Sequence, residues 1–153
     1  MKGKLDYQIE KAELEDMAEI LQLQYEAYRS EAMLYDDFAI PPLTQTLEQS
    51  IEDYHTNTIL KAVQNGKILG SVRAYAKQDT AYIGKLMVLP SYQGQGIGKA
   101  LMREIENEFS GKKYELFTGE KSKKNLVLYE RLGYVRSKEI EIKPGLTYIY
   151  LTK

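Results

Sequence analysis

Three glycines alternate across Gln93-Gly94-Gln95-Gly96-Ile97-Gly98-Lys99, between an apolar run ending at Val88 and a segment with Ile97, Leu101, Ile105 and Phe109 at four-residue spacing. Glycine reaches backbone angles closed to other residues and lets a ligand approach main-chain N–H groups closely. The first turn of a helix leaves those N–H groups free and adds a dipole that favours anions. A strand end, a glycine turn and a helix start in that order make a phosphate cradle. Two nucleotide loops fail on spacing. A Walker loop requires glycine where Gln93 stands and Ser or Thr where Ala100 stands. A dinucleotide fingerprint requires glycine where this chain has Lys99 or Leu101, and no acidic ribose ligand follows about 20 residues on.

A second set of polar residues lies further on. Ser122, Asn125 and Tyr129 are spaced three and four apart, so on a helix they share one face. Leu128 and Leu132 flank that stripe and turn it at least partly inward, where polar groups need partners. A tyrosine with its ordinary pKa of about 10 is protonated at neutral pH and can donate a proton.

Composition narrows the remaining chemistry. The chain has 153 residues, no cysteine, one histidine (His55) and 13 tyrosines. Disulfide frameworks, thiolate metal sites and cysteine nucleophiles are excluded, and a lone histidine makes no two-His metal site. No metal is expected. Acid–base work falls to carboxylates, lysines or tyrosines. The net charge of −1 is too balanced for bulk attraction to nucleic acid or anionic lipid. Residues 6–54 nevertheless carry 13 acidic and 2 basic side chains, and residues 112–153 carry 10 basic and 5 acidic. An acidic front and a basic back suit a cationic partner and an anionic one in a single cleft. No apolar run approaches the ~18 residues of a membrane span. Met1-Lys2-Gly3-Lys4-Leu5-Asp6 lacks the apolar core of a secretion signal, so a cytoplasmic location is expected.

The elements that must position these residues follow quickly on one another. Tyr7–Lys11 alternates like a short strand, and a helix follows with Leu14, Met17, Ala18, Leu21, Tyr25 and Tyr28 on one face. Ala39-Ile40-Pro41-Pro42-Leu43 reads as extended or turned. Thr44 or Thr46 then caps a helix burying Leu47, Ile51 and Tyr54. Strands 58–63 and 68–76 flank Asn65-Gly66, a hairpin signal. A third strand spans 81–88, a helix about 96–109, a strand 114–117 and a helix 122–132. Strands 134–142 and 146–151 end the series. The order β-α-α-β-β-β-α-β-α-β-β predicts one mixed α/β domain over residues 1–153, with a parallel strand pair across 81–117.

Gln93-x-x-Gly96-x-Gly98 resembles the Q/R-x-x-G-x-G/A signature of the GNAT acetyltransferase superfamily. The order of elements is similar to that fold, and Tyr129-Glu130-Arg131-Leu132-Gly133-Tyr134 resembles its late helix and strand. The resemblance covers nearly the whole chain and implies an N-acetyltransferase using acetyl-CoA. It implies a cofactor site of Leu86, Met87 and Val88, whose backbone pairs with the pantetheine arm, together with Gln93 to Lys99. It also implies Met87 or Val88 as oxyanion donor, and Tyr129 near the departing sulfur. The family commonly has Asn where this chain has Ser122, and a small residue where it has Asn125, so either or both fill that contact. Among carboxylates Glu26, Glu31, Asp36, Asp37 and Glu115, the first choice as base is Glu31. Tyr28, Tyr35 and Arg73 are pocket candidates, Arg73 alternatively pairing across strands. The expected acceptor is a cationic amine of a small molecule, peptide or protein, and oligomeric state, a homodimer included, is left open. The alternative is a catalytically silent acyl-CoA-binding module.

Overall fold

A computed structural model describes residues 6–153. Its centre is a seven-stranded sheet in the order β1-β2-β3-β4-β5-β7-β6. The strands are β1 (Gln8–Lys11), β2 (Thr58–Gln64), β3 (Lys67–Lys77), β4 (Thr80–Val88), β5 (Lys113–Gly119), β6 (Val135–Lys143) and β7 (Leu146–Thr152). The helices are α1 (Met17–Tyr35), α2 (Pro41–Thr44), α3 (Leu47–Thr56), α4 (Ile97–Glu108) and α5 (Lys123–Arg131). This is the mixed α/β architecture expected from the sequence, with one helix more. Pro41 and Pro42 do not hold the segment extended. They occupy the first positions of α2, where a missing N–H costs nothing and the fixed φ is already helical.

β3 lies between β2 and β4 and is buried from Ile68 through Ala74. A Cβ on Gly70 would meet Ile97 and Leu101, so this face of β3 packs on α4. Side chains alternate along a strand, so Ser71 and Arg73 face the other layer, which α1 and α3 form. Between the layers lie Met17, Ile20, Leu23, Leu69, Val72, Leu101, Met102 and Ile105. The Asn65-Gly66 hairpin forms as expected, with φ of 50° and 78° at the two turn residues. Gly70→Ala is expected to destabilise the fold by about 2 kcal/mol. The new Cβ would stand 2.8 Å from the Met87 carbonyl oxygen and 3.1 Å from Leu101. Urea unfolding at neutral pH measures the loss.

Two helix faces differ from the sequence reading. Leu14 lies outside α1 at 45% exposure and Ala18 is exposed, while Ile20, Leu23 and Gln24 are buried. In α3 Leu47 is exposed, Ile51 and Tyr54 are half-buried and Ser50 is the buried residue. α3 begins at a capping box. Thr46 accepts from the Gln49 N–H at 3.1 Å and donates its own N–H to the Gln49 side chain at 3.0 Å. That reciprocal box fixes the start of the helix and makes Leu47 its first residue. Among the described residues no helix is long and apolar enough to cross a membrane.

Candidate functional site

β4 and β5 run parallel for only three pairs, Thr80 with Lys113, Ala81 with Tyr114 and Tyr82 with Glu115. Beyond them β4 stays on β3 while β5 continues along β7 as far as Gly119. The sheet therefore opens between Ile83–Val88 and Leu116–Gly119. A bulge drives the parting. β4 carries one residue more than β3 between the Gly84 and Met87 pairs, and Lys85 there adopts φ 48°. Such an insertion bends the bulged strand and re-aims its side chains.

Backbone polarity in the gap follows from the ladder. The Leu89 N–H donates to the Leu69 carbonyl at 2.8 Å, toward β3. Alternation turns the Val88 N–H the other way, into the gap, and directs the N–H of Met87, which pairs with Ser71, toward β3. Of the two oxyanion candidates, Val88 has the gap-facing N–H. The Val88 carbonyl accepts from the Gln93 side-chain amide at 3.2 Å, which folds the glycine turn back onto the strand end.

The turn has the shape its glycines suggested. Gly94 and Gly96 have φ of 77° and 87°, and Gly96 is the N-cap of α4. A Cβ on either would meet no protein atom within 4 Å. These positions border open space that a bound group can approach, and the free N–H groups of the first turn of α4 point there. Ile97 anchors the helix in the core, while Gln95 and Lys99 are exposed. Gly98 differs from the other two. Its Cβ would make ordinary contact with Leu128, Leu86 and Val88 at 3.7–3.8 Å, so this position sets how closely α5 approaches α4 and β4. The residues present fit a pyrophosphate.

The late polar stripe divides between two environments. Asn125 lines a large cleft, whereas Ser122 is 4% exposed and donates its hydroxyl to Glu31 Oε1 at 2.5 Å. Next to that contact the Lys121 N–H donates to the Tyr35 hydroxyl at 3.0 Å. The end of α1 thus clasps the turn between β5 and α5, and Gly119 leaves room for the Tyr35 phenol. Tyr129 is 6% exposed and edge-on to Tyr134, with ring centroids 6.0 Å apart. Burial first, then the neighbouring Tyr28 and Glu31, hold its phenol well above the ordinary range. Burial and Glu31 likewise push Tyr28 up to about 12, against a smaller lowering by Arg73. Both phenols are proton donors throughout neutral pH.

The cleft occupies about 1270 Å³ and starts where β4 leaves β5. Its wall brings together Tyr28, Glu31, Tyr35, Arg73 and Asn125 from three elements, α1, β3 and α5. Glu115 and Asp37 also line it, the latter paired with Lys143 at 2.6 Å. Arg73 does not pair along the sheet. Its guanidinium reaches Asp53 on α3 at 3.0 Å. Asp53, Lys85 and Gln45 line the same wall and were not singled out from the sequence. Asp53 Oδ2 accepts from Gln45 Nε2 at 2.7 Å, Arg73 Nη1 at 3.0 Å and Lys85 Nζ at 3.4 Å. The capping box starting at Thr46 was the one sequence signal bearing on this, since it orients α3. Among the described residues no group of three or more His, Cys, Asp or Glu side chains is placed to hold a metal ion.

A family model described as an acetyltransferase (GNAT) domain matches residues 24–153. The chain is 27% identical over 129 residues to the protein YqkA of Bacillus subtilis, covering 84% of this chain and 37% of YqkA. It therefore spans little more than a third of that relative. Its fold is similar to the PaiA N-acetyltransferase from Thermoplasma acidophilum, solved in complex with coenzyme A. The TM-score there is 0.78 at 14% identity, over 95% of this chain and 98% of that one. It is also similar to yncA from Salmonella typhimurium, solved with its cofactor acetyl-CoA. That pair has a TM-score of 0.76 at 16% identity, over 97% and 94% of the two chains.

Proposed function

The chain belongs to the GNAT acetyltransferase family, and from that premise we propose that it moves an acetyl group from acetyl-CoA directly to an amine. The observation that carries this reading is the parting of β4 from β5, with a glycine turn and a helix N-terminus at one end and a polar cleft at the other. Gly94, Gly96 and the first N–H groups of α4 hold the pyrophosphate. The gap-facing backbone of Leu86 to Val88 takes the pantetheine arm. Acetyl-CoA supplies the activated acyl group as a thioester.

The protein's own part consists of a base, an oxyanion donor and an acid. Glu31 takes a proton from the acceptor ammonium, so that a neutral nitrogen attacks the acyl carbon. The Val88 N–H holds the oxygen as negative charge develops there, where a preorganised donor is worth most. As the C–N bond forms the C–S bond breaks, and Tyr129 protonates the thiolate. The second proton of the nitrogen leaves to solvent, giving a neutral amide. Glu31 lies close enough to Tyr28 and Tyr129 to raise both phenols, which puts its charge beside the acid. Glu31→Gln keeps a partner for the Ser122 hydroxyl but removes the base. It is expected to lower kcat/KM about 100-fold at pH 7, with recovery as pH rises toward the acceptor's own pKa. A variant whose only change is a lower Tm would make Glu31 a purely structural clasp residue. Release of CoA thiol from acetyl-CoA across a panel of amines tests the activity as a whole. Tight CoA binding with no acceptor-dependent release would favour the silent acyl-CoA-binding module.

A further inference from the structure

Among the described residues the buried side-chain polar atoms lacking a hydrogen-bond partner are Gln24 Oε1, Ser50 Oγ and two atoms of one arginine, Arg73 Nε and Nη2. Nε and Nη2 form one edge of the guanidinium, two parallel N–H groups at the spacing of the two oxygens of a carboxylate. Arg73 is 4% exposed, lines the cleft, and engages Asp53 only through Nη1. The fork therefore has no protein partner and is covered from solvent, while the other end of the group is used.

Charge in this corner is unbalanced. Arg73 and Lys85 share the single carboxylate of Asp53, at 3.0 and 3.4 Å. Glu31 is engaged by Ser122 and Asp37 by Lys143. Among the described residues neither Glu52 nor Glu115, which also line the cleft, forms a salt bridge with either cation. Lys85 is held with φ 48° at the bulge, a conformation unfavourable for a side chain of its kind and one that recurs at ligand sites. Burial and the charge of Arg73 outweigh Asp53 and push the Lys85 ammonium below its ordinary range. One further negative charge would relieve both cations.

We infer that this corner binds a carboxylate of the acceptor, so that the substrate is an amine that also bears an acid, an amino acid or a close relative. The inference rests on the acetyl-transfer reading and names its substrate class. Lys85 Nζ, with 26% of its side chain exposed, is the first contact, and the covered Arg73 fork supplies the paired one after a side-chain shift that uncovers it. The ammonium end then lies toward Glu31. A polyamine or simple alkylamine would leave the fork vacant and add a third cation.

The test uses the full chain and matched acceptors, L-lysine against cadaverine, L-phenylalanine against phenethylamine, and L-methionine against L-methioninamide. The acid member of each pair is expected to have a kcat/KM at least 10-fold higher. In Lys85→Met that preference falls to about 1, and in Lys85→Arg it returns. Equal or better use of the decarboxylated or amidated members by the wild type, or a preference that survives in Lys85→Met, would overturn the proposal. A second readout does not require turnover. With CoA present, N-acetyl-L-phenylalanine is expected to raise the Tm of the wild type but not of Lys85→Met, while N-acetylphenethylamine raises neither. That pattern without any turnover would support the carboxylate site and defeat the acetyl-transfer reading. No stabilisation by the N-acetylamino acid would overturn the site itself.

Discussion

Gly96→Asp is expected to abolish CoA binding while the protein remains folded. A Cβ at this position meets no protein atom within 4 Å, so nothing in the fold has to move. The φ of 87° adds strain, and about 1–2 kcal/mol is the usual cost of a left-handed residue. That lowers the Tm by a few degrees without unfolding a domain of this size. The bound ligand meets a different situation. The side chain would project into the space that the phosphates approach, and its charge would stand at the N-terminus of α4, replacing an attraction with a repulsion. A loss of at least 100-fold in CoA affinity by titration calorimetry is expected. An affinity within a few-fold of the wild type would remove the glycine turn from the cofactor site.

Tyr129→Phe is expected to lower kcat by about 100-fold, the lower range for loss of a positioned acid, with CoA affinity changed less than twofold. The ring packs on Tyr134 and a phenylalanine keeps that contact. The pH dependence carries the sign. Burial and the neighbouring Tyr28 and Glu31 raise the phenol, which favours the protonated form. An acid must be protonated to act, so a raised pKa keeps it competent well above neutrality. Wild-type kcat is therefore expected to hold level from pH 8 to pH 10 after its rise on the base limb. A fall across that interval, or an unchanged kcat in the variant, would assign the proton to another group.

The cofactor side was legible in the sequence because its signals are local. Three glycines within five positions, an apolar helix behind them and an alternating strand ahead lie in one stretch of chain, and the structure assembles them in that order. Gln93 was legible as part of a motif, while its bond to the Val88 carbonyl needed coordinates. Helix faces were harder to place. Leu47 has the hydrophobicity of a core residue, but as the first residue of α3, next to its cap, it stays exposed while Ser50 is buried. The acceptor side was the least legible, because its residues converge from distant segments. Asp53 and Lys85 are 32 residues apart and meet at the bulge in β4, for which Gly84 inside the strand was the one composition signal. Nothing in the spacing of Lys85 separates it from the surface lysines around it.

The clasp of α1 on the turn before α5 has a kinetic consequence. Glu31 and Ser122 are 91 positions apart, and Tyr35 and Lys121 are 86 apart. Closing so long a loop is entropically costly until intervening structure has shortened it. The hairpins from β2 to β4 and the β4-α4-β5 crossover are accordingly expected to assemble first, with the clasp added to a sheet already built. Contacts absent from the rate-limiting barrier govern how fast a protein comes apart rather than how fast it forms. This wall of the cleft is then expected to detach first when the molecule unfolds, and an occupant bridging α1 to β5 to slow unfolding, as stopped-flow unfolding in urea would measure.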